Sequence, residues 1–170
     1  VFYYSSEIFK SNDSSAGPST VPAAISMLNF VMTIVAIWLV EKAGRRPLAL
    51  ISASGMIISG SLFIVSNLVA IRTLSIVSIL SYVALFAVGM GPIPWLMMNE
   101  LFPTQALGAA VSLAVATNWI CNFMVGLSFD WFTKILGKWL FAPYIIFTIL
   151  FTIFAWFRIP ETKGRPISFL

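Results

Sequence analysis

Five uncharged apolar runs follow one another along this chain, at 22–40, 48–70, 73–99, 106–129 and 140–157. A helix needs about 20 such residues to cross about 30 Å of hydrocarbon, so each run predicts one membrane span. The first, "PAAISMLNFVMTIVAIWLV", opens on Pro22, a favoured first helical position, and stops at the charged hairpin "EKAGRRP". Arg72, Glu100, Asp130 and Arg158 bound the others. Only 9% of the residues are charged, against about 25% in a soluble domain. No soluble fold covers its surface with so few. An all-α, multi-pass protein solvated by a lipid bilayer is therefore expected. Residues 1–9 read as the tail of a further span whose beginning is missing, and 158–170 as a polar tail.

Several functional classes drop out. The ten basic residues sit at the ends of apolar runs and form no basic-aromatic stripe, which argues against nucleic acid. Cys121 stands alone inside a span, so no intrachain disulfide framework exists. With no histidine and one cysteine, a metal site of nitrogen and sulfur ligands is excluded, and no cofactor is expected. Carboxylates, serines and lysines form no catalytic arrangement, so an enzyme is not expected. The chain opens on "VFYYSSEIF", without a basic n-region, so a cleavable leader is not predicted.

Charge sets the orientation. "EKAGRRP" and "RIPETKGRP" share one side and hold six basic residues, against four (Lys10, Arg72, Lys134, Lys138) on the other. The hairpin 41–47 and the C-terminal tail are thus expected in the cytoplasm. "KSNDSSAGPST" then faces outward, where Asn12 opens a glycosylation triplet; such triplets are common by chance, and an unmodified loop is the favoured reading. Trp38, Trp131 and Trp139 lie at span ends and read as interface anchors.

Polar residues inside the spans are costly and therefore informative. Ser26, Asn29 and Thr33 recur at three and four residues, one face of a helix. Asn118 and Asn122 do the same, with Trp119 beside them. Interhelical hydrogen bonding would explain a single asparagine. Two such faces together with Trp95 favour a cavity for a neutral, polyhydroxylated ligand, since amides donate and accept while an indole packs on an apolar sugar face. Ser52, Gly55 and Ser59 instead make a small-residue face for close helix packing.

The third run is broken by "GMGPIPW", with Gly91, Pro92 and Pro94 in close succession. A passive kink needs one proline. Backbone groups released by two survive only when buried in protein or lining water, as in the discontinuous helices of transporters.

Taken in order, "FYYSSEIF", "EKAGRR", "GPIPW", "ELFP", "NWICNF" and "PETKGR" resemble the C-terminal half of a sugar porter. That branch of the major facilitator superfamily includes the facilitative glucose transporters. The resemblance covers essentially the whole chain and implies a six-helix bundle with its first helix truncated, paired with a missing N-terminal six-helix half. It implies transport of a monosaccharide, a hexose, by alternating access in the plasma membrane. It assigns Asn29, Trp95 and Asn122 to the sugar, with Asn118 and Trp119 lining the same cavity. Tyr3 and Tyr4 would belong to an outer gate, and Gly91, Pro92 and Pro94 would let the helix bend. Glu41, Arg45, Arg46, Glu100 and Glu161 would form a cytoplasmic ion-pair network. Two positions depart from the family. Leu107 replaces an arginine of that network, and Ala87 stands where several glucose transporters have a sugar-binding glutamate. A non-transporting membrane protein, either a truncated product or a sugar sensor acting through helix contacts, is the alternative.

Overall fold

The computed structural model describes residues 20–162. The partial helix 1–9, Tyr3, Tyr4, Asn12 and the tail beyond Thr162 lie outside the described residues. The described residues form helices and no strands: α1 Thr20–Ala43, α2 Arg45–Val69, α3 Arg72–Leu85, a π-helical segment Phe86–Met90, α4 Ile93–Leu101, α5 Thr104–Leu136 and α6 Ala142–Arg158. Among the described residues, four units are long and apolar enough to cross a membrane: Ala23–Ala43, Arg45–Val69, Thr73–Leu101 and Thr104–Trp139. Ala142–Arg158 is a shorter apolar helix.

Arg158 does end α6, but charged residues do not end the helices of the first and fourth runs. The helix of the first run continues through Glu41 and Lys42 to Ala43, and only Gly44 separates it from α2. Gly44 has φ +89°, a left-handed conformation that glycine enters without steric cost. The fourth span likewise runs past Asp130 and Lys134 to Leu136. Their charges reach water at a span's end while the backbone ladder continues.

Helix α2 is the centre of the bundle, packed against α3, the π segment and α6. Lipid tails are as apolar as side chains, so helices associate here mainly through close approach and hydrogen bonds. The face carrying Ser52, Gly55 and Ser59 supplies both: the two serines are buried, and Gly55 is crowded by Leu85 of α3. At the far end of the α2–α3 hairpin, the Ser66 and Ser75 hydroxyls are bonded at 2.8 Å.

Two apolar clusters result. One joins Ile25, Phe63, Ile79, Val83, Phe129 and Phe141 towards the α2–α3 turn. The other joins Val40, Leu48, Ala49, Ile93 and Met97 near the α1–α2 turn. Helix α5 is packed mainly at one point, Phe129 being its one buried residue, as Ala155 is that of α6. It presents Leu113, Trp119, Phe123 and Leu127 outward.

Candidate functional site

The broken span packs its π turn against α2. Pro92 and Pro94 have no N–H, so neither can bond back to the carbonyl four residues earlier. The ladder changes pitch before them: the Gly91 N–H reaches the Phe86 carbonyl five residues back, at 2.8 Å. Helix α4 restarts beyond Pro92, and the Leu96 N–H bonds the Pro92 carbonyl at 3.1 Å. Ala87 and Gly89 within the π turn are buried against neighbouring helices. Pro94 and Trp95 face outward, with Trp95 41% exposed.

Above the break lies a cavity of about 340 Å³ between α2, α3, α5 and α6. Its wall is apolar (Met56, Val83, Phe86, Val125, Phe129, Phe141), with polar groups from Asn122, Tyr82 and Tyr144. Of the five residues expected at the sugar, Asn122 lines this cavity. Asn118 and Trp119 are exposed on α5, and Asn29 is half-buried on α1. The structure does not bring Asn29 or Trp95 to the cavity that Asn122 lines.

Three exposed polar side chains on these helices are satisfied locally. The Asn122 Nδ2 donates to the Asn118 carbonyl at 3.0 Å, Asn99 Nδ2 to the Trp95 carbonyl at 3.3 Å, and Thr33 Oγ1 to the Asn29 carbonyl at 2.7 Å. Each bond closes back by four residues, which lets an amide or hydroxyl stand in an apolar span. The Asn122 amide oxygen is not used in that bond and remains available to a ligand hydroxyl.

At the α1–α2 end, charges assemble into one latch. The Arg45 guanidinium donates to Glu100 Oε1 from Nε at 3.0 Å and from Nη2 at 2.7 Å. Thr162 donates to the other oxygen of Glu100. Glu161 caps α2: its two oxygens accept the backbone N–H groups of Arg45 and Arg46 at 3.0 and 3.1 Å. A carboxylate at a helix N-terminus satisfies orphan donors and meets the positive end of the dipole. Arg46 reaches the Trp156 carbonyl of α6 at 2.6 Å. Three parts of the chain are thereby joined: the start of α2, the end of α4 and the segment after α6.

Arg45, Arg46, Glu100 and Glu161 are thus brought together. Glu41 is exposed at the end of α1 and makes no ion pair among the described residues. Thr162 was not singled out by sequence reasoning, although it stands inside the quoted "PETKGR". Its signal was a hydroxyl next to Glu161, masked by the charged residues around it in that polar tail. Nearby, Lys42 Nζ lies 3.9 Å from the Trp38 ring centre, a cation–π contact at the helix end.

Residues 1–169 match the protein family described as "Sugar (and other) transporter". The chain belongs to this family. Against the rabbit (Oryctolagus cuniculus) solute carrier family 2 facilitated glucose transporter member 3, it is 42% identical over 99% of its length and 35% of the relative's. A structure of a double tryptophan mutant of XylE superposes with a TM-score of 0.91 at 32% identity, covering 99% of this chain and 37% of that one. A second XylE structure, of the major facilitator superfamily proton:xylose symporter bound to 6-bromo-6-deoxy-D-glucose, gives 0.85 at 30% over the same shares. The chain spans about a third of the length of the curated relatives it matches. Fold and family agree: this is an all-α membrane protein with the sugar-transporter architecture.

Proposed function

We propose that this chain is the C-terminal half of a transporter that moves a monosaccharide, a hexose, across the membrane by alternating access. The observation that carries the reading is the discontinuous third span. A helix that changes pitch at Phe86–Met90 and restarts beyond Pro92 has a built-in place to bend, beside a cavity lined by Asn122. Discontinuous helices beside a midplane cavity are how many transporters form sites and gates.

In this reading Asn29, Trp95, Asn118, Trp119 and Asn122 meet the sugar once a second six-helix half encloses them. The faces of α1 and α5 that bear these residues are open in the chain as described, which suits residues awaiting a facing half. Gly91, Pro92 and Pro94 form the hinge, and Tyr3 and Tyr4 the outer gate. The latch made by Arg45, Arg46, Glu100, Glu161 and Thr162 closes the cytoplasmic side. Hairpin 41–47 and the C-terminal tail then face the cytoplasm of a plasma-membrane protein.

The test is uptake. Full-length protein in hexose-transport-deficient cells is expected to take up labelled hexose saturably. Trp95→Ala and Asn122→Ala are expected to lower uptake without lowering surface expression. Parallel loss of uptake and expression would mean that these residues hold helices together instead.

A further inference from the structure

The hydroxyl of Ser52, 1% exposed on α2, reaches into the backbone of the neighbouring span. It accepts a hydrogen bond from the Met90 N–H at 3.1 Å and donates one to the Leu85 carbonyl at 2.6 Å. Those two backbone groups stand five residues apart, at the two ends of the π turn Phe86–Met90. The approach is close: a Cβ on Gly89 would lie 2.4 Å from the Ser52 Cβ and 2.8 Å from the Leu48 carbonyl oxygen. Only glycine lets the turn sit this deep against α2.

A π turn holds one residue more than an α turn. Closing it to α would therefore rotate everything beyond it by about 100°, the angle of one residue in an α-helix. Trp95 lies beyond it, on α4. The prolines at 92 and 94 withhold donors from this stretch, so its own ladder resists such a change weakly. The Ser52 hydroxyl satisfies one donor and one acceptor that an α closure would re-pair.

We propose that Ser52 is a positioning residue: its hydroxyl holds the π turn open and so sets the rotational register of α4, fixing the face on which Trp95 stands. The inference rests on the transport reading only for its consequence, which is that Trp95 is aimed at the sugar. The register itself is independent of transport.

The experiment is a cysteine-accessibility scan of positions 95, 96, 98 and 99 in the full-length protein, on a Cys121→Ser background. It compares wild type, Ser52→Ala and Ser52→Thr, with amide exchange followed over 86–91. With the hydroxyl lost, the labelling maximum should move by one position along α4, and the exchange pattern over 86–91 should change as the Met90 N–H re-pairs with the Phe86 carbonyl. Ser52→Thr, which keeps a hydroxyl, should retain the wild-type pattern. A wild-type labelling pattern in Ser52→Ala overturns the proposal, and so does a shift in Ser52→Thr equal to that in Ser52→Ala. Should Ser52→Ala fail to reach the membrane, Ser52→Gly takes its place under the same outcomes. Absence of sugar uptake by the wild type would overturn the transport reading alone, because labelling and exchange need no transport.

Discussion

Arg45 holds a single oxygen of Glu100 from both Nε and Nη2, at 3.0 and 2.7 Å, and leaves the second oxygen to Thr162. The two side chains are 19% and 27% exposed, so the pair is neither a free surface contact nor a fully desolvated one. Charged hydrogen bonds in such a setting contribute about 1.5–3 kcal/mol, more than a surface ion pair. The pair joins α2 to the end of α4, the helix that restarts beyond the break. Whatever moves α4 away from α2 must first break it.

Glu100→Gln keeps the shape of the side chain and removes its charge. If the full-length protein alternates as proposed, the substitution should shift it towards the state open on the latch side by about 1–3 kcal/mol. Labelling of an engineered cysteine in the cavity reached from that side should rise accordingly. Unchanged labelling would show that the latch does not bias the states.

Leu107→Arg adds a cation at the position where the resemblance to sugar porters implies one. Glu100 already has donors on both oxygens, so the gain should be small, about 0–1 kcal/mol towards the latched state. The same labelling assay should show equal or modestly lower reactivity. A clear increase would contradict it.

Gly44→Ala should destabilise the protein by about 1–3 kcal/mol. Its φ of +89° disfavours any side chain, and a Cβ there would come 2.9 Å from the Glu161 carboxylate that caps α2. Thermal unfolding of the full-length protein in detergent, followed by fluorescence size exclusion, would register the loss. An unchanged midpoint would mean that the cap and turn relax at no cost.

Helices over the five apolar runs were legible from their apolar length, although among the described residues only four are long enough to cross a membrane, and the break in the third was legible because proline and glycine are unambiguous. Helix ends were less so: charge halted the apolar count at Asp130, but the backbone ladder continued to Leu136. The face of Ser52, Gly55 and Ser59 could be read as a packing surface from its spacing. That the Ser52 hydroxyl bridges Met90 and Leu85 could not, because the partners lie more than thirty residues away on another helix. Periodicity likewise grouped Asn118 with Asn122 on one face of α5. It carried no information on which face of α1 or α4 meets them, and the structure gives Asn122 a cavity without Asn29 or Trp95.

The most direct measurement is saturable uptake of labelled hexose by the full-length protein in proteoliposomes, with Asn122→Ala run beside the wild type at matched incorporation. The wild type should take up sugar saturably, and Asn122→Ala should lose about 1–3 kcal/mol of apparent sugar affinity through its missing amide hydrogen bonds. Correctly inserted wild-type protein with no saturable uptake, or an Asn122→Ala variant indistinguishable from it, would contradict a sugar path through this half of the molecule.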